Sequence, residues 1–375
     1  VGSLVGVGFG VIWTVLAFSM GAPTLFCLFG VMASFGIGNI AQINSIAGSV
    51  NTVAAAFWPA AAKYQTAIAV TVGLVIAGFT ALVLLGGLKR IGAVTEKLVP
   101  FMAAVYLLSA LAVILANAGR LGETIALIFQ SAFRPQAILG GTAGGAFLLG
   151  MKRGVFSNEA GLGSAPIAHA ASSERDPVRQ GLYGIFEVFM DTIVICTLTG
   201  FVVVMAHCWT GADAESWQAL DKLPKYTESI AVLTPGTAMN GIVTFLVTLC
   251  FCLFAFTCLL GMISFSEIAA NRIRKDKICI NFVRCIGLFV AAFGILCNIA
   301  GLELGNLWAF SDLGNILIVF FNVPIVYVGA KYVFRATRHY KKNDGTPFTS
   351  EVIGRNDCAY WDEQAKKAVK NFSGK

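Results

Sequence analysis

Apolar runs of about 20 residues recur along this chain between short polar connections, and no other feature limits its fold as much. A bilayer core about 30 Å thick is crossed by roughly 20 helical residues. Runs of that character occupy 4–20, 25–48, 66–88, 98–118, 135–151, 181–207, 238–263, 279–300 and 305–334, the fifth being short and rich in glycine. The strands of a closed barrel would alternate apolar and polar residues, and these runs do not. Hydrophobic residues make up 57% of the 375 and charged residues only 13%, against about a quarter charged in soluble domains. The expected fold class is an all-α polytopic membrane protein with about nine transmembrane helices.

A net charge of +7 raises the question of a nucleic-acid partner, and the distribution of the charge argues against one. Segments 88–98, 150–180, 264–284 and 331–375 carry 3, 4, 5 and 10 of the 27 Lys and Arg. The alternate connections hold only Lys63, Arg120, Arg134, Lys222 and Lys225. Basic residues collect on the cytoplasmic side of membrane proteins, so the first set is expected there. A transmembrane domain over 1–334 and a basic cytoplasmic tail over 335–375 follow.

Polar groups inside the apolar runs mark candidate sites. In "FGIGNIAQINSIAGS", from the second run, Phe35, Asn39, Gln42, Ser45 and Ser49 recur at spacings of three and four, which puts them on one helix face. Such a stripe either glues helices together or walls a cavity. In "ILGGTAGGAFLLG", Gly140, Gly141, Gly144 and Gly145 lower helix propensity by about 1 kcal/mol each. They suit either close packing or an unwound segment whose backbone N–H and C=O groups bind charged ligands. The following segment, "KRGVFSNEAGLGSAP" (152–166), is too polar to face lipid unprotected. Asp191 lies inside the run 181–207, where an acid is a functional candidate by default. Thr257, Gly261 and Ser264 share a face of 238–263; a hydroxyl there either ligates a hard cation or bonds its own helix carbonyl.

Other chemistries find little support. The ten cysteines fall mostly inside the apolar runs, and neither they nor His169, His207 and His339 form a pair or cluster with metal spacing. No nucleophile stands with a base, so an enzyme is not expected.

The stretches "FGIGNIAQINSIA", "GGLKRIGAVTEKLVPFMAAVY", "GMKRGVFSNEAGLGSAPIAHAA", "QGLYGIFEVFMDTIVICTLTG" and "FAFT" resemble, in this order, the alanine/glycine:cation symporters, the sodium:alanine symporter family. The third is long and specific, and the resemblance runs from about residue 25 to 330. It implies the leucine-transporter fold, two inverted five-helix repeats whose first and sixth core helices unwind around the substrate. It also places 152–166 just after the sixth core helix as part of an inner gate, with Asn158, Glu159 and Asp191 as its structural polar residues. The family's glycine-rich first core helix and the segment normally preceding "FGIGN" are not found, so the chain is expected to lack an N-terminal region.

What the resemblance implies is sodium-coupled symport of a small neutral amino acid of the alanine/glycine class, in a bacterial inner (plasma) membrane with a cytoplasmic C-terminus. Phe35, Asn39, Gln42, Gly140, Gly141, Gly144, Gly145 and Met262 would bind substrate. Thr257 and Cys258 would bind sodium, with no other metal or cofactor. Two positions depart from the family pattern: Cys258 replaces a hydroxyl with a softer ligand, and Met262 replaces a tryptophan. A membrane-embedded sensor or a transport-incompetent fragment is the alternative expectation.

Overall fold

The computed structural model describes residues 22–34, 39–40, 42–134, 150, 154, 157, 159, 161–170, 172, 174, 176–208, 214–220, 222–236, 238–299, 305–342, 346–355 and 360–366. These residues are helical or in turns, with no strand among them. In chain order the helices are α1 (Ala22–Ala33), α2 (Gln42–Phe57), α3 (Gln65–Leu85), α4 (Gly87–Ala116) and α5 (Leu121–Ala132). Then come α6 (Ala165–Ala170), α7 (Pro177–Val188), α8 (Cys196–His207), α9 (Ala214–Ala219) and α10 (Lys222–Leu233). The long α11 (Ala238–Ile273), α12 (Lys277–Ile299), α13 (Gly305–Lys342) and the single turn α14 (Ser350–Ile353) complete the list.

Among the described residues six stretches are long and apolar enough to cross a membrane: Gln65–Leu84, Arg90–Ala116, Pro177–His207, Ala238–Ile273, Lys277–Leu296 and Leu313–Lys342. Large apolar side chains such as Leu74, Leu108, Phe289 and Leu296 are exposed on them; lipid, not water, suits that surface. The protein is a multi-pass helical membrane protein.

Several boundaries differ from those expected. The connection expected over 88–98 is helical, because α4 begins at Gly87, whose φ of +68° makes the turn out of α3. The run 25–48 falls on both α1 and α2, with Ser34, Asn39 and Ile40 in wider, π-type turns between them. The run 181–207 is interrupted by a π-helical stretch, Phe189–Ile195, which carries Asp191. The run 4–20 and, apart from Gly150, the run 135–151 lie outside the described residues.

The chain forms two compact units, Val1–Lys152 with Val194–Asn315, and Arg153–Ile193 with Ile316–Lys375. In the first, α11 packs against α1, α2, α4, α10 and α12. One apolar cluster joins Ile43, Leu84, Ile91, Leu259, Leu260 and Ile263; a second joins Val113, Val202, Met205, Trp217, Ile230 and Val247. Between membrane helices, close van der Waals packing and interhelical hydrogen bonds replace the hydrophobic drive of water-soluble cores. Asn117, at the end of α4, supplies one such bond, donating to Leu233 O at 3.1 Å and so tying the end of α10 to α4, while it also donates to Val113 O of α4 itself at 3.0 Å. Arg284 of α12 grips Glu267 of α11 with two bonds, Nε to Oε2 at 2.9 Å and Nη2 to Oε1 at 2.6 Å.

In the second unit, α7 starts cleanly: Asp176 accepts from the N–H groups of Val178 (2.7 Å) and Arg179 (3.1 Å), with Pro177 at the first helical position. The residues after α13 fold back on its end. Arg335 donates to Ile353 O at 2.8 Å, and Asp362 accepts from Ser350 N–H at 2.8 Å and Ser350 Oγ at 2.6 Å. Those two bonds hold the Asp362 carboxyl below the usual carboxylate range.

Candidate functional site

In the first unit, the polar stripe of 25–48 divides. Phe35 lies outside the described residues. Ser49 spends its hydroxyl on its own helix, donating to Ser45 O at 2.6 Å. Gln42 reaches across, its Nε2 donating to Cys258 Sγ of α11 at 3.4 Å. A residue expected in the substrate wall and one expected at the cation therefore touch.

Asn39 is the most informative member. Its side chain is 0% exposed, yet neither Nδ2 nor Oδ1 has a hydrogen-bond partner among the described residues. It lies against Ile263 and α12: a Cβ added at Gly287 would stand 3.6 Å from Asn39 Nδ2 and 3.2 Å from Ile263 Cγ1. A buried carboxamide left unbonded costs about 1–3 kcal/mol, so a native chain tolerates it where something else completes the bonding. A partner completing both atoms would accept from Nδ2 and donate to Oδ1, as water or a zwitterionic ligand does.

The facing surface of α11 presents Thr257, Cys258, Gly261 and Met262, on one and the same side of the helix. Thr257, Cys258 and Met262 are half-buried, and a Cβ added at Gly261 would meet nothing among the described residues within 4 Å. Thr257 donates to Phe254 O at 3.0 Å, the local bond that competes with a ligand role, but its lone pairs stay available to a hard cation. Ser264 likewise bonds Leu260 O at 2.7 Å. With its sulfur held by Gln42, Cys258 is the softer donor of the pair. Among the described residues no group of three or more His, Cys, Asp or Glu is placed to hold a metal ion.

Residues the sequence did not single out border this region. Ser34, at the end of α1, is bonded to Ser266 of α11, and Ser266 also donates to Met262 O at 3.0 Å. The Glu267–Arg284 pair stands beside them along α11. Gly294 of α12 passes so near Ile40 that an added Cβ would lie 2.8 Å from its carbonyl oxygen. Neither partner is visible in a one-dimensional pattern, because each contact joins positions far apart in the chain.

The second unit takes in the segment 152–166 from Arg153 onward. Asn158 lies outside the described residues. Glu159 sits at a φ of +56°, uncommon for a side-chain-bearing residue, and accepts from Ser164 Oγ at 2.9 Å. Burial pushes its carboxyl up; the Ser164 bond opposes this, and Glu187 and Asp191 reinforce the rise. The folded loop thus favours the protonated acid, an advantage that fades as pH rises through the folded value. Asp191 is bonded not to Glu159 but to Ser157, whose Oγ donates to Oδ2 at 2.6 Å. Asn322 of α13 donates to Gly161 O at 2.9 Å. Gly163, at φ +92°, lies against Asn322 so closely that an added Cβ would be 2.7 Å from its Cγ. Gly140, Gly141, Gly144 and Gly145 lie outside the described residues. A surface recess of about 820 Å³ beside α7, lined by His169, Glu174, Asp176, Arg179 and Gln180 among others, is bonded internally. Gln180 and His169 Nδ1 are 2.6 Å apart, and His169 Nε2 is 3.5 Å from Glu187.

Comparison with known proteins bears directly on this arrangement. The model of the sodium:alanine symporter family matches residues 12–352. An uncharacterized transporter of Haemophilus influenzae is 35% identical over 322 residues, covering 84% of this chain and 64% of the relative. The sodium/alanine symporter AgcS of Methanococcus maripaludis is 37% identical over 300 residues, covering 78% and 61%. The probable sodium/glutamine symporter GlnT of Bacillus subtilis is 32% identical over 347 residues, covering 92% and 65%. The chain thus spans less than two thirds of the length of each of these relatives. With a family match over nine tenths of its length and a helical, multi-pass fold, the chain belongs to the sodium:alanine symporter family.

Proposed function

We propose that this chain is the membrane domain of a secondary transporter that moves a small neutral amino acid together with Na⁺. The observation that carries the reading is the fully buried carboxamide of Asn39, unbonded among the described residues, close in sequence to a Gln42–Cys258 contact. In this reading Asn39 bonds the amino acid, Gln42 positions the wall, and Thr257 offers its oxygen to the cation. Cys258 completes the Gln42 bond instead of serving as a strong sodium ligand. Phe35 and the four glycines of 140–145 would close the pocket, and Met262 would set its depth. Sodium and amino acid then favour the same closed state, which is what coupling requires. Relatives carrying sodium, alanine and glutamine in their names support the substrate class.

The fold proposed is the inverted repeat of the leucine transporter, with Asn158, Glu159 and Asp191 bracing an inner gate. The membrane is a bacterial plasma membrane, with residues 335–375 as the cytoplasmic tail. The test is counterflow in proteoliposomes: purified chain, labelled alanine outside, unlabelled alanine inside, with Na⁺ or choline. Sodium-dependent accumulation of label is expected. Binding of alanine without exchange would leave a sensor, and the transport reading would be wrong.

A further inference from the structure

The end of α13 presents two neighbouring faces with different fates. Tyr332, Arg335, Ala336 and His339, at spacings of three, four and seven, form the face the tail covers. Arg355 lies over the Tyr332 ring at 5.5 Å, Arg335 bonds Ile353 O, and Ala336 is buried. His339 bonds Thr346 at 3.0 Å and meets Phe348 edge-on at 5.9 Å. Among the described residues the adjoining face stays open. It carries Tyr327, Lys331, Phe334, Arg338, Lys341 and Lys342, within an arc of roughly 100° at 100° per residue.

All six are exposed, Tyr327 at 84% and Phe334 at 74%. Among the described residues no carboxylate forms an ion pair with any of the four cations. Their place along the helix decides what they face. Residues 313–330 contain no charge and span about 27 Å at 1.5 Å per residue, close to the roughly 30 Å of a hydrocarbon core. Lys331 is the first charge after it. The open face therefore begins where hydrocarbon gives way to headgroups, with Tyr327 and Phe334 at the depth where aromatic rings concentrate.

We infer that this face of α13 binds the headgroups of anionic phospholipids, and that the folded-back tail holds the neighbouring face so that the cationic one stays turned to the lipid. Arg338 matches a phosphate with two parallel N–H donors, whereas the three lysines act as point charges. The phenyl ring of Phe334 and the ring of Tyr327 settle against the glycerol and upper acyl region. The described contacts of the tail fall on the Tyr332–His339 face.

The experiment is native mass spectrometry of the whole 375-residue chain in detergent titrated with phosphatidylglycerol or phosphatidylcholine of matched chains. Retention of phosphatidylglycerol over phosphatidylcholine is expected. Each basic residue near the surface contributes about fivefold, so Arg338→Gln/Lys341→Gln/Lys342→Gln should reduce that preference about a hundredfold. A control, Lys63→Gln/Arg134→Gln, removes exposed charges from other connections and should leave it within a few-fold. Raising salt to 0.5 M should weaken the parent's preference, since charge attraction is screened. Equal retention of both lipids by the parent overturns the inference, as does an equal loss in the control. A parent with no lipid preference whose self-association disappears in the triple variant would place a second copy of the chain on this face, which also overturns it.

Discussion

At the scale of single residues, Asn39 separates a binding role from a packing role. If a ligand completes its bonding, the empty site carries an unbonded carboxamide. Asn39→Leu replaces it with an apolar group of similar size and should raise stability by about 1–3 kcal/mol while abolishing sodium-dependent alanine uptake. A thermal melt of the purified variant and a counterflow assay check the two arms. Loss of both stability and uptake would make Asn39 a structural residue. The sequence made Asn39 and Gln42 legible because polar residues at helical spacing stand out against an apolar run. It did not show that Gln42 meets Cys258, or that Ser34 meets Ser266. Periodicity assigns a residue to a face; it does not name what lies opposite. Asp191 is a similar case. An acid inside an apolar run is conspicuous, but its partner, Ser157, is one of many loop hydroxyls.

At the scale of elements, α11 and α12 are joined near a chain turn by the bidentate Glu267–Arg284 pair, whose side chains are 9% and 24% exposed. Breaking a buried pair from one side leaves an uncompensated charge and costs about 3–5 kcal/mol, whereas replacing both partners is often near neutral. Arg284→Met should therefore destabilise the chain strongly, and Glu267→Gln/Arg284→Met should recover most of that loss. Thermal unfolding in detergent, followed by near-ultraviolet circular dichroism, gives the comparison. If the double variant were as unstable as the single one, the pair would be contributing a specific geometry rather than mutual charge neutralisation. The helices themselves were readable from hydropathy. Their ends were not. Charged residues at 89, 90 and 97 suggested a connection, but α4 keeps them on its opening turns because a helix end at a membrane surface can be both helical and charged. The amphipathic α10 escaped notice for the complementary reason: its polar content reads as a loop, while Ile230 and Leu233 are buried in the second apolar cluster.

At the scale of the whole molecule, the basic residues and the described spans constrain each other. One crossing, Arg90–Ala116, separates Lys89 from Arg120. One crossing, Pro177–His207, separates the 150–180 segment from Lys222, and Ala238–Ile273 then returns the chain to Lys277. Lys277–Leu296 and Leu313–Lys342 add a further pair, bringing Lys342 to the same side as Lys277. The positive-inside rule puts Lys89, the 150–180 segment, Lys277 and Lys342 together. That is consistent with the described crossings only if the chain passes through the membrane an odd number of times between Arg134 and Gly150. The glycine-rich run 135–151 was expected to be that crossing. The prediction is that Arg120→Cys and Lys222→Cys label with an impermeant maleimide from outside intact cells, in a background of silenced native cysteines. Lys277→Cys and Lys342→Cys should label only after permeabilisation. If Arg120→Cys and Lys222→Cys labelled from opposite sides, the 135–151 segment would not cross, and the inverted repeat proposed for this chain would lose its sixth core helix.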